Sequence, residues 1–76
     1  MTKWALERTW RRVEVTGGTV RIKIGHIEGL ITSATPEYED VAEVARRTGT
    51  PVRDVLADAI AAAGSAGLTA GRAVPQ

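Results

Sequence analysis

The chain contains no cysteine, so neither a disulfide nor a thiolate metal site braces it. That absence carries no information about redox compartment. A large net charge is also missing: 10 Lys and Arg stand against 9 Asp and Glu, leaving +1. The strongly basic footprint of a nucleic-acid-binding domain is therefore not there. No apolar run approaches the length of a membrane span. The opening "MTKWALERTW" has no apolar h-region and is interrupted by Glu7 and Arg8, with Arg11 and Arg12 directly after it, so it does not read as a secretory signal. The expectation is a soluble, cytoplasmic protein with no membrane partner. There is a single histidine, His26, with no second ligand at metal spacing. No Ser-His-Asp set, glycine-rich phosphate loop or nucleophile elbow can be assembled.

At 76 residues the chain holds one small domain. Chains of this length bury a modest share of their surface and often depend on oligomerisation or a ligand. A homo-oligomer is expected on that ground.

Charge is polarised along the chain. Residues 1 to 26 carry Lys3, Arg8, Arg11, Arg12, Arg21 and Lys23 against Glu7 and Glu14. Residues 37 to 58 carry Glu37, Glu39, Asp40, Glu43, Asp54 and Asp58 against Arg46, Arg47 and Arg53. A basic first half and an acidic second half suit an anionic ligand on the former, or head-to-tail self-association.

"RRVEVTGGTVRIKIG" reads as a β-hairpin. Val13 and Val15 alternate with Arg12, Glu14 and Thr16, and Val20, Ile22 and Ile24 alternate with Thr19, Arg21 and Lys23. Period two sends one set to a core and the other to solvent. Gly17-Gly18 lies between them as the turn. "GHIEG" (25–29) reads as a second turn and "LITSA" as a third strand. The segment from Trp4 to Trp10 is a preceding strand or a loop, its indoles packed on the sheet or at a subunit contact.

Thr35-Pro36-Glu37 has the form of a helix start: hydroxyl cap, proline at the first position, carboxylate in the first turn. Tyr38, Val41, Ala42 and Ala45 share a face, and Gly49 ends the helix. Thr50-Pro51 repeats the device. Val52, Val55, Leu56, Ala59, Ile60 and Ala63 then form an apolar stripe, and Gly64 ends the second helix. The fold class expected is a small α+β domain over residues 1–64. It comprises an antiparallel sheet of three to four strands with two helices on one face, a ferredoxin-like half or similar. Residues 65–76, "SAGLTAGRAVPQ", are expected to be a flexible tail.

Ala45, Gly49 and Val55 have the spacing of a helix-turn-helix. A DNA-reading second helix would expose Arg, Asn, Gln, Ser or Thr from its first turns. This one exposes Arg53, Asp54, Ala57 and Asp58, and phosphates repel two of the four. Close helix packing accounts for the spacing without DNA.

Two other candidates remain. Arg21 and Lys23 face one way on the second strand, with Arg12 on its neighbour. They form either an anion site for phosphate or a nucleoside triphosphate, or an ordinary solvated strand face. Glu37, Glu39 and Asp40 cluster in a first helical turn. They either complement the helix dipole or hold a hard cation such as Mg2+ or Mn2+. Tyr38 either stacks on a base or joins the core.

The order "GGTVRIKIG", turn, strand, "TPEYEDVAEVARRTGTPVRDVLADA" resembles the C-terminal domain of the LarC-type nickel-insertion proteins, formerly a domain of unknown function. These proteins make the nickel-pincer cofactor of lactate racemase. The basic strand, Pro-Glu-Tyr-Glu-Asp at Pro36–Asp40, and the Gly49 and Pro51 turn carry the match across residues 13 to 60. The family sequences are several times longer, and here Val41 stands where a cysteine often follows the motif. The resemblance implies CTP-dependent nickel insertion into a pyridinium bis-thiocarboxylate mononucleotide, with nickel as substrate. It further implies a CTP site with Mn2+ or Mg2+, an oligomer, and a separate N-terminal nickel-insertion subunit as partner. Carried onto this sequence, Arg21, Lys23, Glu37 and Tyr38 become the nucleotide-binding candidates and Asp40 the metal candidate.

Overall fold

The computed structural model describes residues 5–75. Alternation of apolar and polar residues produces three antiparallel strands: β1 (Glu7–Val15), β2 (Gly18–Ile27) and β3 (Leu30–Pro36), in the order β1-β2-β3. Two helices follow, α1 (Tyr38–Thr48) and α2 (Val52–Ser65). Val20, Ile22 and Ile24 are fully buried, whereas Thr19, Arg21 and Lys23 between them are exposed. The buried side of the sheet meets Val41, Val44 and Ala45 of α1 and Val55, Ala59 and Ala63 of α2. The α+β architecture with both helices on one face is the expected one, with three strands.

The segment leading into Trp10 is neither a loop nor an extra strand. Residues from Glu7 onward are the start of a long β1, paired with β2 as far as His26. Trp4 lies outside the described residues.

The first turn is shifted by one residue from the glycine pair, and the second is tighter than the glycines suggest. Val15 pairs with Gly18, so the first turn is Thr16-Gly17, with Gly17 at φ 88°. Gly18 belongs to β2. A Cβ there would sit 2.8 Å from Val44 Cγ2 and 2.5 Å from the Arg47 guanidinium, so this glycine admits α1 rather than bending the hairpin. The second turn is Glu28-Gly29, with φ of 52° and 80°. Two positive φ values are those of a type I′ hairpin loop. Gly25 is a strand residue, paired to Arg8 and Ser33, with a bulge before His26.

The helix starts also differ from the expected caps. Pro36 ends β3 opposite Ile22 and Thr35 pairs with Lys23, so Thr35 caps nothing. Glu37 is the N-cap residue of α1. Pro51 caps α2, and the Thr50 hydroxyl instead accepts a hydrogen bond from Thr48 Oγ1 at 2.9 Å. On α2, Val55, Ala59 and Ala63 are buried, but Leu56 and Ile60 of the same stripe are 36% and 56% exposed. The sheet is narrower than the stripe.

Where a flexible tail was expected, residues 66–75 form a strap. Leu68 is buried at 3% exposure. Leu30 bridges to Ala73, and the Ile31 and Val74 amides donate to the Arg72 and Gly29 carbonyls at 2.8 and 2.9 Å. Arg11 closes the strap, its guanidinium donating to the Pro75 carbonyl at 2.8 Å. The strap pairs with the start of β3, at Leu30 and Ile31, where unpaired edge groups would otherwise invite another strand.

Candidate functional site

The face of the sheet turned away from the helices carries the basic residues. Trp10 and Lys23 are cross-strand partners, and Arg12 and Arg21 are partners on the next rung of the same face. Facing side chains in such pairs leave the backbone about 5 Å apart, and same-face rungs follow at about 7 Å. Three cations and one indole thus share a small patch. Trp10 is 47% exposed. Neither Arg12 nor Lys23 belongs to any ion pair among the described residues.

Arg21 is differently placed. β3 stops at Pro36, which leaves the edge of β2 open from Arg21 toward Gly18. The Glu37 amide still donates to the Arg21 carbonyl at 2.9 Å, as a strand residue would. The chain then turns into α1, and the Glu37 carbonyl accepts from the Asp40 and Val41 amides. The Arg21 amide therefore loses the carbonyl it would have met, and the Asp40 side chain replaces it. Asp40 Oδ2 accepts from the Arg21 backbone N–H at 2.9 Å and from Arg21 Nε at 2.8 Å, and Oδ1 accepts from the other guanidinium arm at 3.0 Å. The hydrogen-bonded guanidinium holds the Asp40 carboxyl below the usual carboxylate range, and the carboxylate in turn raises Arg21.

Beside this junction lies a shallow open cleft of about 420 Å3. Arg12, Thr19, Arg21 and Arg47 contribute cations and a hydroxyl, and Asp40 and Glu43 contribute carboxylates. Arg47 is held there by its hydrogen bond to the Gly17 carbonyl at 2.7 Å.

The fold thus brings Arg21, Asp40 and the Glu37 backbone into direct contact. Lys23 stands one rung away on the same sheet face. Tyr38 opens α1 and is 68% exposed, so it is not a core residue. Among the described residues, no three His, Asp or Glu side chains gather where a metal ion could be shared. His26 Nδ1 is buried without a hydrogen-bond partner among the described residues, and it belongs to no such cluster. Sequence reasoning underweighted Trp10 and passed over Arg47. The alternation Arg8, Trp10, Arg12 carries the signal for the first. Nothing local carries it for Arg47, which arrives from α1.

The model of the nickel insertion protein family matches residues 1–56. The chain belongs to the nickel insertion protein family. A relative from Myxococcus xanthus, named for nickel insertion, is 48% identical over 60 residues, covering 79% of this chain and 15% of that protein. The pyridinium-3,5-bisthiocarboxylic acid mononucleotide nickel insertion protein of a Nocardioides species is 45% identical over 71 residues, covering 93% of this chain and 18% of its own length. Among solved structures, the chain resembles LarC2, described as the C-terminal domain of a cyclometallase involved in the synthesis of the NPN cofactor of lactate racemase, in its apo form. The TM-score is 0.70 with 27% identity, over 78% of this chain and 40% of that one. This nickel insertion family chain therefore has the fold of part of that C-terminal domain, and it spans less than a fifth of each of those two full-length relatives. None of its described helices is long and apolar enough to cross a membrane.

Proposed function

We propose that this chain is a nucleotide-handling module of nickel insertion. It takes a nucleoside triphosphate, CTP by the family resemblance, on the outer face of its sheet. The observation that carries this reading is the adjacency of Lys23, Arg12 and Arg21 on two neighbouring rungs, with Lys23 and Arg12 free of ion pairs among the described residues. Exposed cationic side chains that spring from backbone positions about 5 to 7 Å apart can reach successive phosphates. Glu37 and Tyr38 follow at the end of β3 and would border the ligand. Nickel is then the substrate of the larger reaction, into the mononucleotide named for the Nocardioides relative. A separate or larger partner portion would supply the rest of the insertion chemistry.

The metal assignment to Asp40 does not fit. Both its oxygens are engaged by Arg21, and it belongs to no group of three or more His, Asp or Glu side chains that could share a metal ion among the described residues. A Mn2+ or Mg2+ ion would have its oxygen ligands on the phosphates, and Asp40 serves as the fixed counter-charge that orients Arg21.

Calorimetry with CTP and Mn2+ tests this. Wild-type protein should bind, and Lys23→Ala should weaken binding by about tenfold, the value of one charge-assisted contact. Absence of heat with every nucleoside triphosphate would remove the nucleotide reading.

A second element of the reading is self-association. Leu56 and Ile60 are exposed on α2, and Ile60 borders an apolar groove of about 260 Å3 with Ala34, Pro36, Ala63 and Leu68. A second copy of the chain is the occupant proposed, consistent with the small core of so short a chain. Light scattering on the purified protein tests it: a clean monomer at high concentration sinks this element and leaves the nucleotide reading untouched.

A further inference from the structure

We propose that Trp10 is the platform on which the base of the bound nucleotide stacks, with the phosphates led away along Lys23, Arg12 and Arg21. The inference rests on the nucleotide reading above and assigns the part of the ligand that the cations do not address.

Trp10 alternates with Val13 and so points away from the core, onto the sheet face that neither helix covers. The indole is 47% exposed there, which leaves its surface open to a ligand. Its surroundings are specific. Lys23 is its direct cross-strand partner, and Arg12 follows two residues along the same strand. Thr35, the partner of Lys23 on β3, completes a row of Trp10, Lys23 and Thr35 across the three strands. This face is continued by Leu6, whose Cδ1 lies 3.5 Å from the position a Gly25 Cβ would take. The indole therefore stands between two cations of its own strand, Arg8 and Arg12, with Leu6 beyond Arg8 and Arg21 opposite Arg12.

A nucleotide likewise sets a flat π surface within reach of its phosphates, as this face sets an indole beside cations. Stacking on an aromatic ring is tolerant of base identity because every base has a π face. The rungs set the scale: about 7 Å separates Trp10 from Arg12 along the strand, close to the reach from a base across its ribose to the first phosphate. An anion site alone needs no tryptophan, and inorganic polyphosphate would use the cations without it.

That difference is the test. In a Trp4→Phe background Trp10 is the sole tryptophan, since the sequence has 2. Titration with CTP in Mg2+ should quench its fluorescence, and titration with inorganic triphosphate should bind by calorimetry without that quenching. Trp10→Ala should weaken CTP by at least tenfold and change triphosphate affinity by less than twofold, and Trp10→Phe should restore most of the loss. Equal weakening of both ligands, or of neither, overturns the stacking role while leaving the nucleotide reading standing. If neither ligand binds wild-type protein, the nucleotide reading has failed and the stacking role with it. An indole emission already blue-shifted without ligand, together with loss of an oligomer on Trp10→Ala, would assign Trp10 to a subunit contact and overturn the proposal.

Discussion

Asp40 completes the hydrogen bonding of Arg21 where β3 has run out. One carboxylate oxygen receives both the Arg21 amide, at 2.9 Å, and Nε, at 2.8 Å. A side chain from the first turn of α1 thereby stands in for a strand, and it fixes one of the three cationic side chains of the proposed anion site. Asp40→Asn should cost about 1 kcal/mol at neutral pH, a value kept low because the pair is partly exposed. Urea unfolding measures it.

The same contact has a pH signature. The folded-state carboxyl of Asp40 is lowered, while in the unfolded chain it titrates near 4. Its stabilisation is full above that unfolded value and is lost as pH falls through the lowered folded value. The stability gap between wild type and Asp40→Asn should therefore hold from neutral pH down to about 4 and close below it. A gap unchanged at pH 2 would show that the charge is not its origin.

Gly18 is required by packing and not by its backbone angles, since it is absent from the positive-φ glycines. Gly18→Ala places a methyl 2.8 Å from Val44 Cγ2. Overpacking of this kind costs about 1–3 kcal/mol. Gly49→Ala meets no neighbour within 4 Å but must hold φ of 70°, so its cost of about 1–2 kcal/mol is backbone strain. Thermal unfolding of a Val44→Ala, Gly18→Ala double variant separates the two causes, because only the Gly18 penalty should shrink when Val44 is trimmed.

Leu68 ties the strap to the core at 3% exposure. Leu68→Ala should cost about 2–4 kcal/mol, a core-sized penalty from a segment that reads as a tail. Hydrogen exchange at the Ile31 amide, which donates to Arg72 at 2.8 Å, should rise in the same variant. Protection left unchanged would mean the strap holds without its anchor.

Ile60 is 56% exposed, so Ile60→Glu should leave stability within about 0.5 kcal/mol. If α2 is the contact between copies, the same substitution should dissociate them. Light scattering reads the outcome directly.

Much was legible before any coordinates. The strands follow from strict alternation around Val13, Val20, Ile22 and Ile24, because period two leaves a residue no other way to face. Arg21 and Lys23 on one face follow from the same rule. The resemblance around Pro36–Asp40 pointed to the right family. Yet Pro36 was read as a helix start when it ends a strand, since proline suits both positions and only pairing with Ile22 decides between them. Tyr38 was drawn toward the core by its apolar spacing and is exposed because the sheet beneath it has ended.

Along the β1-β2 hairpin the chain by itself determined which residues face solvent, since alternation is a local property of an extended backbone. It did not determine which of them meet. A turn on Gly17-Gly18 would have set Arg12 opposite Lys23, whereas the turn on Thr16-Gly17 sets Arg12 opposite Arg21 and Trp10 opposite Lys23. A shift of two residues preserves every face, so hydrophobic pattern cannot distinguish the registers. Tertiary packing can: α1 lies so close to β2 that Gly18 must stand beneath Val44 and Arg47, and the turn yields the second glycine to the strand.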